Sequence, residues 1–335
     1  MKRRTLIAAA IATLASTAMA APNAAEWANV TAAAKKEGKV VVYGSFFGSA
    51  PYKAISKAFE TKYGITVETL DIRASEMFER VRVELGANRY IGDVVMQPRS
   101  AVTILERGNL LQPHKGVPNM TNLRKGIEST PIKMPIYTQL YGILMNDKIS
   151  AADAPKSWND LLDPKWKGKI IIDDPRALGN GFAFFNATYK GLGADFQKKL
   201  AAQAPVISRQ VRNDERRVAR GEFPMYAPHN FTFLPELKGL PVRFVFPSEG
   251  SPNADVQAVM VRNAPHPNAA RLFINHLMDA EAQITYANAG SMPVVTGVVD
   301  KVNTDVKQMF AVKLLPQVNL DDMQQLMGIA KELYK

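Results

Sequence analysis

Beyond residue 38, short β-branched runs alternate with amphipathic stretches of helical length, and this order constrains the fold more than any other feature. Such alternation packs as α/β layers around largely parallel sheets. Residues 24–37 read as a helix closed by Gly38, and 39–43 (Lys-Val-Val-Val-Tyr) as a buried strand. A helix over 51–63 starts at Pro51 and stops at Gly64, and 65–70 is the second strand. The helix over 75–88 puts Phe78, Val81 and Leu85 on one face; 93–96 is the third strand, and a further helix runs to Gly108. The rhythm breaks at 131–135. Residues 136–137 and 141–146 follow as extended segments, read as a first crossing between two lobes. A second series has strands at 169–173, 206–210, 225–227 and 242–246, and 256–261 reads as the return strand. Residues 267–289 are a helix pair or one long helix, and 304–334 are mostly helix. The predicted division is 21–135 with 251–300 in lobe one, 136–250 in lobe two, and 301–335 as C-terminal helices packed on the lobes. Two crossings make a hinge, and hinged lobes close around ligands.

The first residues read as an export signal. Lys2, Arg3 and Arg4 precede a short apolar run over 6–14, and Ala18-Met19-Ala20 is a small-residue cleavage site. Residues 1–20 are therefore expected to be removed. The chain of 335 residues has no cysteine, which excludes disulfides, thiol catalysis and a lipid-bearing cysteine at the cleavage point. A length of this order suggests two domains of roughly 150 residues. The net charge of +11 becomes 11 − 3 = +8 without the leader, which suits an anionic partner. Nucleic acid fits poorly, since export removes it and no recognition motif is present.

Residues 155–168 read Pro-Lys-Ser-Trp-Asn-Asp-Leu-Leu-Asp-Pro-Lys-Trp-Lys-Gly. This run resembles the ferric-iron/polyamine/thiamine-type periplasmic binding proteins, as do 58–67 (Ala-Phe-Glu to Val), Gly92-Asp93-Val94, and Pro293-Val294 with Gly297. The resemblance implies the type II periplasmic binding fold: two α/β lobes, two crossover strands and a ligand cleft between them. It also implies delivery of one small molecule to an ABC permease with its ATPase; a free periplasmic protein acting as a monomer is the expected form. Trp158, Leu161, Leu162 and Trp166 are expected to pack the fold rather than touch ligand.

In such sheets ligands lie beyond the carboxyl ends of strands, near helix N-termini with free N–H groups. The candidate ligand-binding residues are accordingly Ser45, Phe46 and Phe47; Gln97, Arg99 and Ser100; Tyr137; Arg176, Gly179, Asn180 and Gly181; Asn213; and Tyr226, His229, Asn230 and Phe231. Gly179 and Gly181 have an alternative role in a turn alone. Neutral donors, arginines and aromatic faces with few carboxylates favour a carboxylate, phosphonate or phosphate ester.

Ferric members of the resembled family use a His in the first loop, a Glu after the third strand and a late Tyr pair. Those positions fall here on Phe46 or Phe47, on Gln97 or Pro98, and on Asn230 and Phe231. Ferric binding would thus need a non-standard or anion-assisted site, and no metal or cofactor is expected. Polyamines would find only Asp174 and Asp214 in the candidate loops. G-x-S-x-G, Walker A, H-E-x-x-H and related motifs lack support, so a binder is expected rather than an enzyme.

Overall fold

A computed structural model describes residues 21–335 except 46, 73, 318 and 319. The expected export signal and Phe46 therefore lie outside the described residues.

The chain opens with α1 (Ala24–Glu37), β1 (Lys39–Gly44), α2 (Ala50–Tyr63), β2 (Thr66–Asp71), α3 (Ala74–Gly86), β3 (Val94–Pro98), α4 (Arg99–Arg107) and the short β4 (Leu111–Gln112). β1 pairs in parallel with both β2 and β3, the helices between them supplying the crossover connections that parallel strands need. Gly38 and Gly64 end α1 and α2 in the left-handed conformation, so these two stops follow from glycine's freedom at positive φ.

The predicted break at 131–135 is instead the start of one long strand, β5 (Met134–Asn146), buried at all thirteen positions. Its first half belongs to the sheet containing β3. Its second half belongs to another sheet, built by β6 (Ile170–Asp173), followed by α5 (Asn180–Gly191) and α6 (Ala194–Ala202). β7 (Val206–Ser208), α7 (Val211–Arg220), β8 (Met225–Asn230) and β9 (Val242–Val245) complete that second half. Leu140 pairs with the first sheet and Tyr141 with the second, so a single strand carries the chain between them.

The return runs through residues 246–252 into β10 (Asn253–Val261), which sits antiparallel between β3 and β5. The two crossings are laced together: the Tyr141 amide donates to Ser251 Oγ (2.9 Å), which donates to the Tyr141 carbonyl (2.8 Å). α8 (Pro267–Leu277), α9 (Ala280–Asn288) and β11 (Met292–Pro293) follow, resolving the 267–289 stretch into two helices. The expected helix over 304–334 is only partly present. Thr304–Ala311 is 3-10 helix, Leu315 hydrogen-bonds along Ser251, and α10 (Met323–Leu333) is the sole α-helix there among the described residues. Pro316 interrupts any continuous helix in this segment.

Separate cores follow the sheets. One packs Phe59, Phe273 and Leu272 under β1, β3 and β10; another packs Trp158, Phe184 and Phe185 under β5, β6 and β8 and takes Leu326, Ala330 and Tyr334 from the C-terminal segment. A smaller cluster of Leu140, Phe231, Ala287 and Met309 straddles the crossing. No described helix is long and apolar enough to cross a membrane.

Candidate ligand cleft

The carboxyl ends of β3 and β6 face each other across β5, and helices start at both. A cavity of about 220 Å³ lies between them. Its first wall is Ser45 with Gln97, Pro98 and Ser100 at the tip of α4. Its second is Gly179, Asn180 and Ala183 at the tip of α5, with Asn230 ending β8. The floor is Tyr137, Gln139 and Tyr141, alternate residues of β5 and so on one face of it. Tyr52, in the first turn of α2, closes one side. No charged side chain lines this cavity among the described residues.

Its polar groups are held in place by one another. Gln97 Nε2 donates to Ser45 Oγ (3.2 Å), which donates to the Ile72 carbonyl (3.1 Å). Tyr141 Oη lies 3.1 Å from Gln139 Oε1 and 3.3 Å from Asn180 Oδ1. The hydroxyls of Tyr52 and Tyr137 touch, and both rings pack on Tyr286, at 5.7 and 4.8 Å between centroids.

The helix tips differ in a telling way from others in the protein. α1 carries a full capping box from Asn23 and Glu26. α3, α6, α7 and α9 each place an acidic residue in the first turn. α8 receives the Glu37 carboxylate on its Asn268 and Ala269 amides at 3.2 and 2.7 Å. By contrast α2 and α4 have neither a side-chain cap nor an acidic residue in the first turn, as is also true of α10; at α5 the Gly181 amide is taken by the Asp173 carboxylate at 3.0 Å. The tips of α2 and α4 border the cleft, and unsatisfied N–H groups at a helix start attract anions.

One carboxylate stands behind this arrangement. Asp173, at the end of β6, accepts the amides of Gly181 (3.0 Å) and Asp174 (3.1 Å). Burial nevertheless lifts its carboxyl to about 6, against the pull of those two amides. The folded chain therefore holds this proton more tightly than the unfolded chain does. Stability should fall as pH rises from the ordinary carboxyl range through about 6, with the destabilisation complete above it. Asp173→Asn removes the titration. Its stability relative to the parent should improve by about 2 kcal/mol between pH 4.5 and 7.5, read from urea denaturation at both pH values. A difference that does not move with pH would refute the assignment.

The predicted residues divide. Ser45, Gln97, Ser100, Tyr137, Gly179, Asn180 and Asn230 line the cavity. Arg99 lines an adjoining recess with Asp255 and donates to Gln317 Oε1 (3.1 Å). Gly181 is buried in the first turn of α5, with its space taken by backbone. Others lie away from the cavity. Phe47 is in the core beneath α2, edge-on to Tyr52 at 5.2 Å. Arg176 is turned back on its own strand end: Nε meets Asp174 Oδ1 at 2.8 Å and Nη1 meets the Tyr334 carbonyl at 3.1 Å. Asn213 is exposed on α7 and bonds Gln210 (3.4 Å). Tyr226 belongs to the core under β8, and Phe231 packs on Phe244 and Phe246. His229 is fully buried with Nε2 on Glu215 Oε1 at 2.8 Å. Of these six, Asn213 faces solvent; the other five fail to reach the cavity because apolar neighbours or ion-pair partners draw them away from it. Tyr52, Gln139 and Tyr141 line the cavity and were missed by loop-based reading, as was Tyr286, which packs behind Tyr52 and Tyr137 without lining it.

Comparisons with known proteins bear on the fold that carries this cleft. An uncharacterised protein of Haemophilus influenzae is 25% identical over 286 residues, spanning 80% of this chain and 81% of the relative. The substrate-binding protein of an ABC transporter from Agrobacterium tumefaciens superposes with a TM-score of 0.76 at 15% identity, covering 89% of this chain and 94% of that one. The apo ferric ion-binding protein A of Pasteurella haemolytica does so with 0.73 at 20%, covering 88% and 96%. The architecture is thus the type II periplasmic binding fold that the resemblance implied. Residues 54–311, well over half of the chain, match the model of the bacterial extracellular solute-binding proteins, and the chain belongs to that family.

Proposed function

We propose that this protein is the periplasmic receptor of an ABC importer and captures a small anionic solute in the cleft between its lobes. Carboxylates, phosphonates and phosphate esters are the candidate classes, and no catalysis accompanies capture. The observation that carries this reading is that the tips of α2 and α4, which border the cleft, have neither a side-chain cap nor an acidic residue in the first turn, and that no charged side chain lines the first chamber among the described residues. Neutral amide and hydroxyl donors from Gln97, Ser100 and Asn180 would complete the oxyanion site. The arginines first expected to pair with the anion have a smaller part, since Arg176 is already paired with Asp174.

A ferric ion is the rival reading, favoured by the phenol cluster of Tyr52, Tyr137 and Tyr286. Burial pushes all three phenols up from their ordinary range. A ferric ion would have to displace protons from groups that hold them more tightly than free phenol does. Among the described residues no three His, Asp or Glu side chains gather to help it.

Thermal denaturation with carboxylates, phosphonates, phosphate esters, ferric ion and polyamines decides between these. At a hundredfold excess over Kd, a true solute should raise Tm by roughly 5 °C. Stabilisation by ferric ion or polyamines alone would overturn the anion reading.

A further inference from the structure

On the far side of the touching hydroxyls of Tyr52 and Tyr137 lies a second chamber of about 450 Å³, roughly double the first. The two chambers share Tyr52, Tyr137 and Gln139 as walls. Ser49 and Ala50 at the tip of α2 bound the second one, with the 3-10 turn Phe231–Leu237 and the end of α9 opposite. A tetrahedral oxyanion or a single metal ion leaves such a space almost wholly to water, whose share of liquid volume is about 30 Å³. Chambers of this size ordinarily take organic ligands.

The lining is also unfinished. Tyr286 is 1% exposed and lines the chamber, yet its hydroxyl has no partner among the described residues. The buried Oγ1 of Thr232, on the opposite wall, is likewise without one. Leaving such groups unpaired sacrifices their hydration. Nearby hydroxyls of the first chamber, those of Ser45 and Tyr141, are satisfied within the protein. Around the pair lie flat aromatic faces: Tyr52 and Tyr286 on one side and Phe233 on the other, with the Arg212 guanidinium over the Phe233 ring at 4.3 Å.

We infer that the second chamber takes the body of the solute, a planar group bearing a polar substituent that bonds Tyr286 and Thr232, while its anionic head sits at the tips of α4 and α5. The cleft would thus select a two-part organic anion over a bare oxyanion. This inference rests on the anion reading of the first chamber.

Matched probes test it by calorimetry: inorganic phosphate against 4-nitrophenyl phosphate, acetate against 4-hydroxyphenylacetate, and methylphosphonate against 4-hydroxyphenylphosphonate. In at least one pair the ring-bearing member should bind tenfold or more tightly. Tyr286→Phe and Thr232→Val should each weaken that member about three- to tenfold, the worth of one hydrogen bond. Neither should change the affinity of the matched small anion. Tyr286→Phe should leave the Tm of the ligand-free protein unchanged or slightly raised, because the hydroxyl it removes has no internal partner. Equal binding within every pair would overturn the two-part solute and leave the anion reading standing. A drop of several degrees in the ligand-free Tm of Tyr286→Phe would overturn it too. Binding of none of the six probes would sink both readings together.

Discussion

Gly181→Ala is expected to unseat the tip of α5 and to cost both stability and solute affinity. A Cβ built on Gly181 falls 2.3 Å from the Asp173 carbonyl and 2.5 Å from that of Asp174. Those are main-chain atoms at the end of β6, so no side chain can swing away to make room. Either the strand end or the helix start must move by more than half an ångström. Overpacking of this kind costs about 1–3 kcal/mol, despite the better helix propensity of alanine. Because Gly179, Asn180 and Ala183 on the same tip line the first chamber, the shift should also weaken solute binding by roughly tenfold, as loss of one or two charge-assisted bonds would. Gly328→Ala is the control. That glycine lies within α10 with no atom near its Cβ position, and the change should stabilise the protein by up to about 1 kcal/mol. Urea denaturation and calorimetry on both variants check the prediction. A Gly181→Ala protein as stable as its parent and equally able to bind would show that the strand end yields freely.

How far the sequence foretold this depended on the range over which each signal acts. The β-branched runs and the glycine stops are local, and β1, α2, β3 and β6 emerge near their predicted places. The tips of α4 and α5 follow from the same local rule, because a loop after a strand is visible in one dimension. The floor of the cleft was half legible. Tyr137, Gln139 and Tyr141 are spaced by two and share a face, but Pro131 and Pro135 read as a break, so the strand was divided and only Tyr137 was singled out. The arginines show the opposite failure. Arg176 sits two residues after Asp174, a pairing that sequence could suggest; its second partner, the Tyr334 carbonyl, lies 158 positions away. Tyr286 gave no sign at all, since it lies inside α9 and meets the cleft only because α9 packs against α2. Side chains whose place depends on how two distant elements meet were beyond a reading of patterns along the chain.

Trp158→Ala is expected to have the largest effect on stability of any substitution considered. Trp158 is completely buried, its ring tilted against Phe184 with 4.8 Å between centroids in the core of the second sheet. Its indole N–H donates to the Gly250 carbonyl at 2.8 Å, and its backbone amide donates to Glu249 Oε2 at 2.9 Å. Asn159 adds a backbone and a side-chain bond to Glu249 Oε1, at 3.1 and 2.9 Å. The Trp-x-Asp-Leu-Leu run therefore does more than fill a core. It grips the segment by which the chain returns toward β10, two residues before the Ser251 lacing. Alanine would leave a cavity and an unanswered Gly250 carbonyl, for a loss of about 3–5 kcal/mol. Trp158→Phe keeps a ring in the core and loses the N–H bond, so about 1–3 kcal/mol should go. The gap between the two variants separates packing from the contact with the return segment. Trp158 lines neither chamber, so the folded fraction of both variants should bind solute within about threefold of the parent. Chemical denaturation and calorimetry measure the two quantities. A loss below about 1 kcal/mol for Trp158→Ala would mean that the core closes over the gap and that Glu249 alone holds the return segment.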